Sequence, residues 1–193
     1  EKYQNWELIK KAGPTATMAS QALKVLRLFL LKPIKPLTGV TDRFVRRGYF
    51  GGRTEIFRPE YHGSKNLYCY DVNSLYPFVM KENEYPGSFK AWTRTYKPDQ
   101  MGFYEATVEV PKNMYLPPLP VVEKIGQSEK LIFPTGRFSG VWSTIELEYA
   151  RSLGVKIIET RRGCTFHNAG YIFRDFVNTL YDMRKEAQAK GDG

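Results

Sequence analysis

Asp71 is the residue of this chain best placed to do chemistry, because a carboxylate at the end of a strand can hold a metal ion. Residues 66–72 alternate in side-chain character with the period of a β-strand. A polar turn follows, and Ser74 is expected to cap a short helix over residues 75–81. The same pattern also fits a structural turn in which Asp71 only hydrogen-bonds nearby backbone groups.

A basic segment with interleaved aromatic rings is the second candidate site. The formal net charge is +9, and the excess of basic residues is concentrated in the first 60 positions. The segment contains Arg43, Arg46, Arg47, Arg53 and Arg58 among Phe44, Tyr49, Phe50 and Phe57. Cations that pair with phosphates, beside rings that can stack on bases, suit a nucleic-acid backbone. A solvated basic surface is the alternative interpretation.

Two motifs carry a resemblance to a known family. Residues 71–77 read Asp-x-x-Ser-Leu-Tyr-Pro, which resembles the first polymerase motif of family B DNA polymerases. About twenty residues earlier, Tyr49, Gly51 and Gly52 form a Tyr-x-Gly-Gly sequence, similar to a motif upstream of the first one in that family. Both glycines with the following Arg53 most resemble the protein-primed branch of bacteriophages, adenoviruses and linear mitochondrial plasmids. Two motifs in the expected order strengthen the resemblance.

The resemblance implies a two-metal phosphoryl transfer with Mg²⁺. Asp71 would be the catalytic carboxylate and a metal ligand, with the carbonyl of Val72 also at hand. One carboxylate cannot hold two such ions, so the second aspartate is expected outside this chain. These 193 residues alone are therefore expected to be inactive.

The resemblance also assigns residues to the nucleotide and to DNA. Ser74, Leu75 and Tyr76 would line the path of the incoming triphosphate, with the Tyr76 ring placed against a 2′-hydroxyl. Arg184 would neutralise triphosphate charge. The residues expected to hold DNA are Tyr49, Gly51, Gly52 and Arg53, together with Arg46 and Arg47 of the basic segment.

The helices and strands that must position these residues can be predicted from the sequence pattern, and together they indicate an α+β fold. A helix is expected over 16–31, capped by Thr15 or Thr17, and another over 169–190. Strands are expected over 101–111 and 155–160, with a helix between them that starts in a Ser143 and Glu146 capping box. Residues 38–41 read as a loop, and the Pro-rich stretch 111–120 reads as an extended connection outside the core.

By resemblance, the fold is part of a family B palm, a mixed sheet with packed helices, with an inserted subdomain and the first fingers helix. Residues 1–40 would be a helical connector from the exonuclease side, and 41–84 the Tyr-x-Gly-Gly segment and first motif. Residues 85–167 would continue the palm and carry an insertion resembling a terminal-protein region, and 168–193 would start the fingers. The later polymerase motifs are absent, so an interior fragment is expected.

The implied partners are template and primer DNA, deoxynucleoside triphosphates and a terminal protein. No apolar run is long enough to span a membrane, so no membrane partner is expected. The location is expected to be intracellular: a mitochondrion for a linear-plasmid enzyme, otherwise viral or host cytoplasm or nucleus. An RNA-primed enzyme, a non-catalytic nucleic-acid-binding module and a metal-dependent nuclease remain alternatives.

Overall fold

The described residues form six helices, a four-stranded sheet and a two-stranded hairpin, which confirms the predicted α+β class. The computed structural model describes residues 7–29, 36–57, 60, 62–63 and 66–191. The helices are α1 Glu7–Ala12, α2 Met18–Phe29, α3 Gly39–Arg46, α4 Leu75–Glu82, α5 Thr144–Ser152 and α6 Arg174–Ala189. The strands are β1 Pro86–Thr93, β2 Gly102–Val110, β3 Val121–Ile125, β4 Ser128–Ile132, β5 Gly136–Ser143 and β6 Lys156–Asn168.

The backbone divides into two compact units. One comprises Glu1–Lys35, Asp71–Tyr85 and Ala169–Gly193, and the other comprises Pro36–Tyr70 and Pro86–Asn168. The break after Tyr70 separates the two sequence motifs, so the predicted segment 41–84 contributes to both units. The sheet unit contains the basic segment, and the helical unit contains Asp71.

The main sheet has the strand order β1-β6-β2-β5, and each of its pairings is antiparallel. A mixed sheet was expected. Strands β5 and β6 do run in the same direction, because α5 carries the chain back between them. They do not pair with each other, because β2 lies between them and runs the opposite way. Strands β3 and β4 form a separate two-stranded hairpin.

Strand β2 has the alternation that the sequence predicts, with every second residue buried. Its buried side chains, Tyr104, Ala106, Val108 and Val110, form a core with Trp142 and with Leu147 of α5. The Pro-rich connection joins this core, contrary to the prediction. Leu119 is fully buried, and the Trp142 Nε1–H donates to the Pro120 carbonyl at 2.8 Å. An indole that is buried needs such an acceptor.

Helix α3 covers part of the opposite face of the sheet. Its Phe44 is 1% exposed and packs with Val141, Cys164 and Phe166. The predicted loop at 38–41 is therefore wrong for three of its four residues, because α3 begins at Gly39. Burial of Phe44 against the sheet stabilises a helix whose own sequence gives little signal.

The helical unit contains α1, α2, α4 and α6. Thr17 accepts a hydrogen bond from the backbone N–H of Ser20 at 3.1 Å, which confirms the predicted capping of α2. Helix α6 begins at Arg174, five residues later than predicted. Tyr85 and Phe173 meet edge to face, with their ring centroids 4.7 Å apart. No helix in the described part of the chain is long and apolar enough to cross a membrane.

The strand predicted before Asp71 is not formed. Residues 66–72 have no strand hydrogen bonding, and Leu67, Tyr68 and Tyr70 are 75%, 73% and 89% exposed. Alternation in sequence makes a strand only where a partner strand satisfies the backbone groups. No described strand pairs with this segment.

Candidate functional site

The segment from Asp71 to Val79 is exposed throughout. No hydrogen bond or ion pair joins the Asp71 carboxylate to another described residue, so the backbone-bonding role of a structural turn is not seen among them. The carbonyl of Val72 belongs to the same exposed stretch, and the Val72 side chain is 63% exposed. Neither the Asp71 carboxylate nor the Val72 carbonyl has a hydrogen-bond partner among the described residues.

Ser74 precedes α4 in the left-handed region, with φ of 56° and ψ of 36°. Among described residues it is the one residue other than glycine with a positive φ. A left-handed conformation is uncommon for serine and tends to occur at functional sites. The predicted helix is confirmed as α4, but the Ser74 side chain makes no capping hydrogen bond. A cap normally needs an extended backbone, which places the hydroxyl over the first turn.

The residues predicted to meet a nucleotide are on the surface of the helical unit. Tyr76 is 84% exposed and Leu75 is 47% exposed, both in the first turn of α4. Arg184 is exposed on α6, and no ion pair joins it to another described residue. The fold does not bury these side chains, so their ring and charge are available to a ligand.

The glycines of the Tyr-x-Gly-Gly sequence lie in open space. A Cβ built on Gly51 or Gly52 would meet no atom within 4 Å, and neither glycine has a positive φ. Tyr49 beside them is 85% exposed. The fold itself therefore does not require glycine here, whereas close approach of another molecule to the backbone would.

Arg53 is held by three protein contacts. Its guanidinium pairs with Glu55, with Nη2 to Oε2 at 2.5 Å, and Nη1 donates to the Pro117 carbonyl at 2.9 Å. The same group stacks over the Phe133 ring at 4.5 Å. Arg53 thus ties the Gly-Gly segment to the two ends of the β3–β4 region.

Other arginines of the basic segment also have partners. Arg46 pairs with Asp42 one helical turn away at 2.8 Å. The Arg47 Nη2–H donates to Glu105 at 2.9 Å. Phe44 is buried and cannot stack on a base, which corrects its place among the predicted aromatic contacts. Arg58 lies outside the described residues.

Glu105 and Arg162 belong to this site and were not found from the sequence. Arg162 Nε donates to the second oxygen of Glu105 at 3.0 Å, and the hydrogen bond from Arg47 lowers the pKa of Glu105 below its ordinary value. A charged residue on an alternating strand gives no sign of a partner 57 positions away. Only the pairing of β2 with β6 brings Glu105 and Arg162 opposite each other.

No group of three or more His, Cys, Asp or Glu residues in the described ranges could hold a metal ion by itself. Cys69 is exposed and Cys164 is buried, and both are free thiols. Asp71 is therefore a single candidate ligand, not a finished metal site.

The fold of this chain has a counterpart among solved structures. It superposes on a structure described as Phi29 DNA polymerase, orthorhombic crystal form, with a TM-score of 0.64 and 18% identity. The match covers 92% of this chain and 34% of that one. At this identity the likeness defines the fold alone.

The sequence identifies the family. Residues 11–193 match the family model described as DNA polymerase type B, organellar and viral, and the chain belongs to that family. A probable DNA polymerase of Podospora anserina is 32% identical in an alignment 179 positions long that covers 89% of this chain and 14% of the relative. Another from Agaricus bitorquis is 30% identical in an alignment 168 positions long that covers 82% of this chain and 20% of the relative. The resemblance drawn from the two motifs is confirmed, and the chain spans no more than about a fifth of these relatives.

Proposed function

We propose that this chain is part of a DNA-directed DNA polymerase that adds deoxynucleotides to a primer hydroxyl on a DNA template. The observation that carries the proposal is the exposed first motif in a chain of the type B family. Asp71 has no partner among described residues, and Ser74 beside it has a strained backbone. Strain and an available carboxylate are expected where a ligand completes the site.

Asp71 would hold Mg²⁺ with the Val72 carbonyl, because hard cations prefer oxygen donors. Mg²⁺, when bound, stabilises the attacking and leaving oxygens of a phosphoryl transfer. Further ligands are required, since the described residues offer no cluster of three. The 193 residues alone would therefore add no nucleotides.

The other site residues would bind the substrates. Tyr76, at 84% exposure, presents a ring where the sugar of an incoming nucleotide could pack. Ser74 and Leu75 would lie along the triphosphate, and Arg184 would pair with its charge. Tyr49, Gly51, Gly52, Arg46 and Arg47 would contact the DNA backbone. Arg53 could contribute a phosphate contact only through donors that its protein partners leave over.

A protein-primed mechanism is the form that we propose for the complete enzyme, with a terminal protein as primer and an intracellular location. The support is the form of the Tyr-x-Gly-Gly-Arg sequence and the organellar and viral family. An RNA-primed enzyme is the alternative. Initiation assays with a priming protein in place of an oligonucleotide separate the two.

Asp71→Ala in the complete polymerase tests the proposed catalytic role. Primer extension should fall by about a thousandfold or more, because a metal ligand supplies several kcal/mol of transition-state stabilisation. Binding of primer–template DNA should change little. Asp99→Ala, which also removes an exposed carboxylate, is the matched control and should extend normally. If the Asp71→Ala enzyme extends primers at the parent rate, Asp71 is not a ligand of the catalytic metal ion.

A further inference from the structure

Glu105 holds two arginines that come from distant parts of the chain. Arg47 follows α3 and donates to one carboxylate oxygen at 2.9 Å, and Arg162 on β6 donates to the other at 3.0 Å. Each oxygen thus serves one guanidinium. The carboxylate side chain is 18% exposed, whereas the two arginine side chains are 47% and 46% exposed. The carboxylate therefore lies below and the two cations lie at the surface.

The Phe44 ring fixes the same two cations. The guanidinium carbons of Arg47 and Arg162 lie 5.9 Å and 4.8 Å from its centroid. Phe44 is 1% exposed and is packed with Val141 and Cys164. A ring that cannot move gives both cations a rigid support. Their positions are therefore set before any ligand arrives.

The cluster carries an uncompensated positive charge, because two arginines share one carboxylate. A guanidinium has five N–H donors, and Glu105 engages one donor of each. No other hydrogen bond joins either group to a described residue. The remaining donors suit an anion with several oxygens, such as a phosphate. Trp92 packs edge to face on the same Phe44 ring at 5.2 Å and is 42% exposed, so part of an indole near the cations is open to a ligand.

We propose that Arg47 and Arg162 form a clamp for a phosphodiester of a nucleic-acid strand, with Glu105 as the residue that positions both. A phosphate next to an exposed indole is the repeating chemistry of a polynucleotide. The inference rests on the proposed function only in taking DNA as the strand. It adds Arg162 and Trp92 to the predicted DNA contacts and Glu105 as the residue that positions the arginines, and it pairs Arg47 with Arg162 of β6 and not with its neighbour Arg46.

The test measures binding of labelled primer–template DNA to the complete polymerase over a range of salt concentrations. Arg47→Ala and Arg162→Ala should each weaken binding by about tenfold, the effect of one charge-assisted hydrogen bond. The double variant should lose less than the product of the two, because both groups hold one phosphate. In the double variant, the slope of log binding constant against log salt concentration should become shallower by about 0.7 to 0.9, the value for one phosphate contact. Parent affinity and slope in the double variant would overturn the clamp.

The variant Glu105→Gln distinguishes a positioning role of Glu105 from its effect on the net charge of the protein. It adds one unit of positive charge, so electrostatics alone predicts tighter DNA binding. Loss of the carboxylate that holds both arginines predicts weaker binding instead, by several-fold. Glu109→Gln on the same strand is the matched control, because its pair with Arg137 is an exposed contact at 3.7 Å. Tighter binding by both glutamine variants would refute the positioning role.

Loss of DNA binding by misfolding must be distinguished from loss of the clamp. Circular dichroism and thermal unfolding check the fold, and Arg162→Lys is used if Arg162→Ala fails to fold. The lysine variant keeps the positive charge but loses the planar guanidinium, which can donate two parallel hydrogen bonds to a phosphate. Its affinity for DNA should therefore still fall. A raised KM for nucleotide with unchanged DNA affinity would assign the pair to a free triphosphate and overturn the strand assignment. If the parent extends primers while all clamp variants bind normally, the clamp alone is wrong. If the parent binds DNA through these arginines without extending primers, the proposed function alone is wrong.

Discussion

The Arg53 guanidinium lies 4.5 Å from the centroid of the Phe133 ring, although 80 residues separate them in the chain. Arg53 also donates to the Pro117 carbonyl at 2.9 Å. The basic residue that follows the Gly-Gly sequence is thus joined to the protein at both ends of the β3–β4 hairpin. This arrangement makes Arg53 a test case for two roles, packing and phosphate binding.

Arg53→Ala should loosen the Gly-Gly segment. A stacked cation and a charge-assisted hydrogen bond together are worth about 1 to 3 kcal/mol of local stability. Cleavage by chymotrypsin within residues 49–55 of the complete polymerase should therefore quicken by tenfold or more, on the order of the same free energy. Arg46→Ala, which breaks an exposed pair one turn apart, should leave this cleavage rate nearly unchanged. A salt slope of DNA binding that falls in Arg53→Ala with no change in the cleavage rate would favour phosphate binding.

Gly51→Ala and Gly52→Ala should weaken DNA binding without harming the fold. Neither Cβ would meet an atom within 4 Å, and a glycine replaced at a permitted conformation stabilises a protein by about 0.4 to 1 kcal/mol. Gly163→Ala is the contrasting variant, since its Cβ would overlap the Tyr104 ring and should lower the melting temperature. Thermal unfolding and DNA titration of the three variants distinguish the cases. Unchanged DNA affinity in both alanine variants of the motif would exclude close backbone approach there.

Tyr76→Val should relax discrimination against ribonucleotides, because a smaller side chain leaves room for a 2′-hydroxyl. Tyr76 is 84% exposed, so the change removes little packing from the fold. Tyr76→Phe keeps the ring and should discriminate as the parent does. Incorporation of ribo- and deoxynucleotides by the complete enzyme is compared as kcat/KM. Equal discrimination in the valine and phenylalanine variants would count against contact with the sugar.

Acid should weaken the interactions of Glu105 with Arg47 and Arg162. The hydrogen bond from Arg47 lowers the pKa of Glu105 below its ordinary value of 4.5, so the ionised form stabilises the folded state. That contribution is complete above the ordinary pKa and is lost as the pH falls through the lowered one. The protection factors for amide hydrogen exchange around Arg47 and Arg162 should decrease below about pH 4, the region of an unperturbed glutamate. Glu105→Gln should remove this dependence, and a dependence that persists would point to another carboxylate.

The two cysteines should differ in reactivity. Burial raises the pKa of Cys164 to about 11, and the side chain is fully buried, whereas Cys69 is exposed. Only a thiolate reacts readily with an alkylating reagent. Iodoacetamide at pH 8 followed by peptide mass spectrometry should label Cys69 in the native protein and Cys164 only after unfolding. Rapid labelling of Cys164 in the native protein would contradict its place under α3.

Structural features that depend only on residues close together in the chain were predictable from the sequence. The Ser143 and Glu146 capping box is present as predicted, because both of its hydrogen bonds close over three residues. The alternation of β2 appears in its burial, since one face of the strand meets the core. The first motif and the Tyr-x-Gly-Gly sequence identified the family in advance of any structure, because their residue types depend on a shared chemistry.

Features that depend on distant partners were decided only by the tertiary structure. The alternating residues before Asp71 form no strand, because an isolated extended segment has no partner for its backbone groups. Conversely, α3 forms because Phe44 is buried on the sheet, and Leu119 enters the core because Trp142 lies beside it. Arg47 and Arg162 meet at Glu105 by the same rule. The sequence alone indicated the capping box of α5, the alternation of β2 and the residue types of the two motifs, while long-range packing decided which periodic segments form elements, which charges are paired and which remain available to a ligand.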